Sequence, residues 1–155
     1  MKKLKAYLDT SIFNFVFDEG SPKERKLTNK LFEQIHEYDP YVSDIVLEEI
    51  NRCPEPKKGK MANLITQHDI KQLILDEAAQ ESARKYIEQG IIPEKYEDDA
   101  FHIAIASVNN LDVILSWNFE HIVKLKTKRE VVAINLLMGY KEIDIYSPLE
   151  VVENV

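Results

Sequence analysis

The stretch DAFHIAIA, residues 99–106, is the most informative segment of this 155-residue chain. It places the acidic side chain of Asp99 at the head of a segment in which only His102 and Ser107 are polar between residues 100 and 108. A helix with this pattern is expected to be buried on most of its circumference. A carboxylate at the N-terminal end of such a helix is costly to bury unless a cation or hydrogen-bond donors contact it.

A second carboxylate, Asp9, follows the apolar run of residues 6–8 and precedes Thr10 and Ser11, as at a strand-to-helix turn. Two carboxylates at the ends of buried elements suggest a site for a hard cation with oxygen ligands. Each acid also has an ordinary structural explanation. Aspartate before threonine or serine caps helices, and an acid in a first helical turn offsets the helix dipole.

The composition bounds the class of protein. With 45% hydrophobic and 30% charged residues, we expect a globular protein with a single domain over residues 1–155. The net charge of −7 argues against a protein that grips nucleic acid through bulk positive charge. No apolar run approaches the ~20 residues that span a bilayer, which argues against a membrane partner. The lone Cys53 and the lack of an export signal predict a cytoplasmic location.

Strand and helix patterns alternate along the chain, which predicts an α/β fold with a parallel sheet covered by helices on both faces. In such sheets ligands bind beyond the carboxyl ends of the strands, where the strand order reverses. Asp9 and the segment 116–118 follow two of these ends. The expected strands are residues 4–8, 41–43, 72–75, 113–115 and 142–146, and the expected helices are residues 22–38, 44–53, 59–68, 77–89, 97–110 and 129–138.

Two pairs of neighbouring acids compete for the same role. On a helical wheel, Glu48 lies roughly 160° and Glu49 roughly 100° from the centre of the apolar face of helix 44–53. Glu49 is therefore the better ligand candidate, and an ordinary boundary glutamate is its alternative. Asp98 and Asp99 pose the same choice at the head of the buried helix.

Several further residues keep two interpretations at this point. His102 and His121 either face the site or have packing and capping roles, and Trp117 either stacks a base or belongs to the core. Two basic stretches either are solvated surface or contact a nucleic acid backbone. Their residues are Arg52, Lys57, Lys58 and Lys60, and Lys124, Lys126, Lys128 and Arg129.

Four blocks of the sequence, in this order and spacing, resemble the PIN-domain nuclease family: LDTS (8–11), SDIVLEEI (43–50), DAFHIA (99–104) and LSWNFEH (115–121). The resemblance covers essentially the whole chain. It implies a three-layer α/β/α sandwich around a parallel sheet. It also implies that clustered acids hold Mg²⁺ or Mn²⁺ and that the protein cleaves single-stranded RNA with this metal. By motif, Asp9 matches the first acid of the family, Glu49 the glutamate before an apolar residue, and Asp99 the aspartate of the Asp-Ala-x-His pattern. Asn118 stands where many relatives carry a further aspartate, which is a departure from the pattern.

The resemblance thus implies an endoribonuclease whose catalytic residues are Asp9, Glu49, Asp99 and Asn118, with the three acids as metal ligands. The family includes toxins of toxin–antitoxin pairs, so an antitoxin protein is an expected partner beside the RNA substrate. The oligomeric state stays open between a monomer and a homodimer. Two other functions also stay open: a PIN-like module that holds RNA or protein without cutting, and a metal-dependent phosphatase. The phosphatase would want a second aspartate two residues after Asp9, where Ser11 stands.

Overall fold

The computed structural model describes residues 2–152. In these residues one sheet has the strand order β3-β2-β1-β4-β5, and every neighbouring pair of strands is parallel. The predicted parallel sheet is therefore confirmed. The strands are β1 (Leu4–Leu8), β2 (Tyr38–Ser43), β3 (Lys71–Leu73), β4 (Val113–Leu115) and β5 (Asp144–Tyr146).

The helices of the described residues form two layers, one on each face of the sheet. They are α1 (Thr10–Phe15), α2 (Pro22–Glu33), α3 (Asp44–Asn51), α4 (Lys57–Gln67), α5 (Glu77–Glu88), α6 (Glu97–Val108), α7 (Leu125–Leu137) and α8 (Pro148–Val151). Helix α5 packs on α6 and α7, whereas α1 contacts α2 and α4, and α8 contacts α2. Because parallel crossovers are right-handed, the helices before β3 and those between β3 and β5 cover opposite faces. This is the expected α/β/α sandwich.

Several element boundaries differ from the predicted ones. The expected helix 22–38 ends at Glu33, and a 3₁₀ turn (Ile35–Glu37) leads into β2, which begins at Tyr38 rather than Tyr41. Pro40 disfavours a helical residue before it and pairs with Ala6 of β1, where β3 has not yet begun. Helix α7 begins at Leu125, four residues before the expected start at residue 129. Residues 124–128 are mostly polar, so the sequence did not indicate that Thr127 is buried in this helix. The short helices α1 and α8 were not predicted as separate elements.

The strand order reverses between β1 and β4. The chain runs outward from β1 to β2 and β3, then returns to place β4 on the other side of β1. At this switch point the amide of Asp9 donates to the carbonyl of Leu115 at 3.3 Å. The carboxyl ends of β1 and β4 are thus adjacent, which is the ligand-binding edge expected of such a sheet.

Helix α6 is buried over most of its surface, as its composition predicts. Residues 102–107 and Ala100 are all buried, and the polar His102 and Ser107 are among them. The helix therefore runs through the interior with its acidic N-terminus at the ligand-binding edge. Among the described residues, no helix combines the length and the apolar character needed to cross a membrane.

Candidate active site

Asp9 occupies the switch point of the sheet. Its side chain is nearly inaccessible, and both carboxylate oxygens accept hydrogen bonds from serines. Ser11 Oγ donates to Oδ1 and Ser116 Oγ donates to Oδ2, each at 2.5 Å. Burial raises the pKa of Asp9, while the charge of His102 and the two serine hydrogen bonds oppose that rise. The hydroxyls of Ser11, in the first turn of α1, and of Ser116, directly after β4, therefore fix the orientation of a carboxylate whose charge is costly at this position.

Glu49 reaches the same region from α3. Its side chain is 27% exposed, whereas that of Glu48 is 61% exposed, which agrees with the helical wheel. Thr10 Oγ1 donates to Glu49 Oε1 at 3.0 Å, and His102 Nε2 lies 2.7 Å from the same oxygen. Burial would raise the pKa of Glu49, but the hydrogen bond and charge of His102, with the Thr10 hydrogen bond, lower it overall. Glu49 is accordingly an ionised carboxylate at neutral pH.

Asp99 lies in the first turn of α6 and is more enclosed than its neighbour. Its side chain is 20% exposed, against 42% for Asp98. His121 Nδ1 lies 2.9 Å from Asp99 Oδ2. Asp98 instead faces Arg52, whose Nη1 lies 3.7 Å from the Asp98 carboxylate. Asp99 thus belongs to the acid cluster, and Asp98 to its rim.

A buried hydrogen-bonded chain runs behind Glu49. His102 Nδ1 is bonded to Tyr7 Oη at 2.6 Å, and Tyr7 Oη is bonded to Ser43 Oγ at 2.7 Å. Burial would lower the pKa of His102, but the hydrogen bond to Glu49 and the charges of Glu49, Asp9 and Asp99 raise it overall. The imidazole therefore stands among the three acids as a partial counter-charge.

Tyr7 and Ser43 were not predicted as parts of the site, because Tyr7 lies inside an apolar strand segment. One signal could have found it. Side chains alternate along a strand, so Tyr7 points to the same face of β1 as the position of Asp9.

Asn118 acts on the turn that follows β4. Its side-chain Oδ1 accepts the backbone amide hydrogen of His121 at 3.0 Å, and its backbone N–H donates to Ser116 Oγ at 2.9 Å. Through these bonds Asn118 holds the segment that carries His121, and His121 in turn holds Asp99. The observed contacts thus connect Asn118 to the acids by way of the turn.

The acids come from the end of β1, from α3 and from α6, and α3 contacts α6 directly. A cavity of about 440 Å³ is lined by Glu49 and Asp99 together with residues 94–98. Within residues 2–152, no three Asp, Glu, His or Cys side chains are arranged to hold a metal ion. Each acid is bonded to its own neighbour instead, so the ligand set is not preassembled.

The donor chemistry nevertheless suits a hard cation. The bonds to Thr10 and His102 both end on Oε1 of Glu49, and the bond to His121 ends on Oδ2 of Asp99. The second oxygen of Glu49 and that of Asp99 take no part in these bonds, whereas both oxygens of Asp9 accept serine hydrogen bonds. Carboxylate oxygens are the ligands that Mg²⁺ prefers, so the residues present fit such an ion once their side chains adjust.

The remaining candidates take defined places. Trp117 is buried, and its indole Nε1–H donates to Thr28 Oγ1 at 2.7 Å, so it belongs to the core rather than to a base-stacking surface. Arg52 lies at the rim beside Asp98, and Lys57 Nζ donates to Asn14 Oδ1 in α1. Of the first basic stretch, Arg52 therefore lies near the acids.

The family model for the PIN domain matches residues 6–121, and the chain belongs to the PIN domain family. No curated protein matches the sequence. Solved structures that share the fold include the following three. VapC20 of Mycobacterium tuberculosis, described as a sarcin-ricin loop cleaving toxin, is 13% identical with a TM-score of 0.59, covering 89% of this chain and 98% of that chain.

The other two structures are toxin–antitoxin assemblies. VapBC-5 of Mycobacterium tuberculosis is 14% identical, has a TM-score of 0.52, and covers 92% of this chain and 98% of that chain. VapBC2 of Rickettsia felis, bound to a DNA fragment from its promoter, is 12% identical with a TM-score of 0.56, covering 93% of this chain and 98% of that chain. At these identities the similarity establishes a common fold.

Proposed function

We propose that this PIN-domain protein is a Mg²⁺- or Mn²⁺-dependent endoribonuclease that cleaves single-stranded RNA. One observation carries the proposal. Asp9, Glu49 and Asp99, from three distant parts of the sequence, all lie close enough to His102 for their charges to raise its pKa. This concentration of negative charge lies at the edge of the sheet where ligands bind. Clustered carboxylates repel one another, so their proximity costs stability when no cation is bound. This cost favours a cation-binding role for the three acids.

Asp9, Glu49 and Asp99 would hold the cation. Such an ion supplies an acidic bound water and offsets the charge that develops on the phosphodiester. The chain supplies the rest. Ser11 and Ser116 orient Asp9, and His102 with Thr10 orients Glu49.

The lowered pKa of Glu49 favours the role of ligand over that of proton acceptor. Asn118 would contribute through the turn that positions His121 and, through it, Asp99.

The same reasoning extends to the biological role. The similar folds include a toxin described as cleaving the sarcin-ricin loop and two VapBC toxin–antitoxin assemblies. We propose that this chain is likewise the toxin of a toxin–antitoxin pair, with an antitoxin protein as partner and the cytoplasm as its place of action. Growth arrest on expression of the chain, relieved by Asp99→Asn, would support this role. Unimpaired growth under strong expression of active enzyme would contradict it.

The test of the activity compares cleavage of one RNA sequence as single strand and as duplex, with Mg²⁺, with Mn²⁺ and with EDTA. Asp9→Asn, Glu49→Gln and Asp99→Asn should each abolish cleavage while the variant stays folded. Glu48→Gln is the matched control, because it makes the same chemical change as Glu49→Gln one residue away on the exposed side of the helix. This control should retain the wild-type rate.

Each alternative function predicts a different outcome. Cleavage that survives EDTA contradicts the metal requirement. Tight RNA binding by the wild type without cleavage indicates a non-catalytic binding module. Turnover of a simple phosphomonoester in place of RNA indicates a phosphatase.

A further inference from the structure

Two aromatic rings in contact, tilted against each other, border Asp99 and Glu49. Tyr96 ends a 3₁₀ turn (Glu94–Tyr96) directly before α6, and its ring centroid lies 4.2 Å from that of His121, with 39° between the ring planes. The same His121 holds Asp99 through Nδ1 at 2.9 Å. The ring of Tyr96 is therefore two contacts away from an acid of the candidate active site.

Tyr96 is also open to solvent, in contrast to its partner. It is 39% exposed, whereas the side chain of His121 is 9% exposed. In the described part of the chain, Tyr96 is the one aromatic residue that lines the cavity shared by Glu49 and Asp99. An aromatic surface thus stays uncovered beside the place where the scissile phosphodiester would lie.

The other aromatic residues near the switch point do not offer such a surface. Trp117 is buried and its N–H is bonded to Thr28. Phe119 is exposed, but its ring packs edge-on against Trp117 at 6.1 Å and lines no part of the 440 Å³ cavity. The exposed ring inside the cavity is that of Tyr96.

The chemistry of the cavity suits a nucleobase rather than a phosphate group, which its carboxylates repel. Its other lining residues are mostly carboxylates, including Glu94 and Glu97, which disfavour an apolar peptide. The N–H groups on the edge of a nucleobase find acceptors in such carboxylates, as glutamate and aspartate accept from cytosine N4. The flat face of a base stacks on an aromatic side chain. Lys95 Nζ lies over the Tyr96 ring, 5.7 Å from its centroid, so a stacked base would take the place of this exposed ammonium group.

We propose that Tyr96 stacks a nucleobase of single-stranded RNA next to the phosphodiester that is cut. This inference rests on the proposed ribonuclease function and adds the subsite that holds the substrate strand. The stacked base would extend the ring pair that His121 and Tyr96 already form. Tyr96 is then a substrate-binding residue, and its ring rather than its hydroxyl is the part that matters.

Steady-state kinetics with Tyr96→Leu and Tyr96→Phe separate the ring from the hydroxyl. Loss of one base–aromatic stack corresponds to an increase in KM of about 5- to 150-fold. Tyr96→Leu should show an increase of this size with a smaller change in kcat, and Tyr96→Phe should stay near wild type. Tyr140→Leu is the matched control, because Tyr140 lies far from the acids, beyond the C-terminal end of α7. Its backbone N–H donates to the carbonyl of Asn135, and Asn135 contacts Ser107 at the end of α6 opposite to Asp99.

A substrate with one abasic nucleotide separates stacking from a structural role. At the stacked position, removal of the base should weaken wild-type binding and leave Tyr96→Leu unaffected, so that the two changes are not additive. A purely structural Tyr96 would lower cleavage of intact and abasic RNA by the same factor. That result would overturn the proposal.

A binding measurement decides the inference independently of cleavage. Single-stranded RNA carrying 2-aminopurine at successive positions is bound to Asp9→Asn, which we expect to be inactive. Fluorescence should be quenched at one position, and the quenching should disappear in Asp9→Asn combined with Tyr96→Leu. Quenching that persists without the ring contradicts the stacking. Wild-type protein that quenches 2-aminopurine but cuts no RNA contradicts the ribonuclease function and leaves the stacking intact.

Discussion

Tyr7→Phe tests whether the buried chain from Ser43 through Tyr7 and His102 orients Glu49. The substitution keeps the ring and removes one oxygen, which is bonded to Ser43 Oγ at 2.7 Å and to His102 Nδ1 at 2.6 Å. Both partners are buried. The hydroxyl of Ser43 and the Nδ1 atom of His102 each lose a hydrogen bond that water cannot replace at that depth.

The size of the effect follows from these two lost bonds. A buried polar group without a partner costs about 1–3 kcal/mol, and some of the cost is recovered if Ser43 turns to another acceptor. We therefore expect the free energy of unfolding to fall by about 1–3 kcal/mol and Tm to fall by about 2–12 °C. Residues that orient a metal ligand typically change metal affinity or activity by about 10- to 100-fold. Tyr7→Phe should show a loss of that order.

Tyr86→Phe supplies the control for stability. Tyr86 is as inaccessible as Tyr7, and its Oη donates to Asn135 Oδ1 at 2.5 Å. Asn135 is bonded in turn to Ser107, near the C-terminal end of α6 and far from Asp99. The same atom is thus removed from an equally buried network that lacks the candidate ligands. Tyr86→Phe should lose comparable stability and keep the wild-type dependence of cleavage on Mn²⁺.

Two assays are needed, urea denaturation for stability and RNA cleavage as a function of Mn²⁺ concentration. The account predicts that the two variants are similar in the first assay and differ in the second. Equal activity in Tyr7→Phe and Tyr86→Phe, at temperatures where both are folded, would refute the orienting role of the chain.

Three further predictions concern single side chains. Asn118→Ala should slow cleavage less than loss of any of the three acids. Asn118→Asp keeps an oxygen for the His121 backbone amide, and its added negative charge should lower the Mn²⁺ concentration needed for half-maximal activity. An unchanged Mn²⁺ dependence in Asn118→Asp would assign Asn118 to the turn alone. Asp9→Asn should raise Tm of the metal-free protein at neutral pH, because burial raises the pKa of Asp9 in the folded state and ionisation above that pKa costs stability. This gain in Tm should vanish in acid, where Asp9 is protonated in both the folded and the unfolded state. A lower Tm of Asp9→Asn at neutral pH would contradict this prediction. Asp112→Ala should lower the free energy of unfolding by about 1 kcal/mol at neutral pH, because the hydrogen bond from Lys141 lowers the pKa of Asp112 in the folded state. Urea titrations should show this loss of stability at pH values above the pKa of Asp112 in the unfolded state. The loss should disappear as the pH falls through the lower pKa of the folded state.

The parts of the site that the sequence could predict are those set by local periodicity. The orientation of Glu49 rather than Glu48 follows from the apolar face of one helix, and the greater enclosure of Asp99 follows from the burial of α6. Asp9 could be placed because an apolar strand ends there. The alternation of strands and helices similarly fixes a parallel sheet, since parallel strands need helical crossovers.

The contacts between elements could not be predicted in the same way. The pairing of His121 with Asp99, and of Tyr7 with His102, depends on how a strand, a turn and a helix meet in space. Periodicity reports which side of an element faces the core, and it does not report the neighbour on that side. Tyr96 was missed for a related reason, because a short 3₁₀ turn has too few residues to show a pattern.

Calorimetric titration with Mn²⁺ measures whether Asp9, Glu49 and Asp99 hold a divalent cation. Glu49→Gln and Glu48→Gln form the decisive pair, because they differ only in which of two adjacent glutamates loses its charge. We expect saturable binding to the wild type and to Glu48→Gln, and binding at least about tenfold weaker to Glu49→Gln. Absence of saturable binding to the wild type at neutral pH, or equal affinity in the two variants, would contradict this role of the three acids.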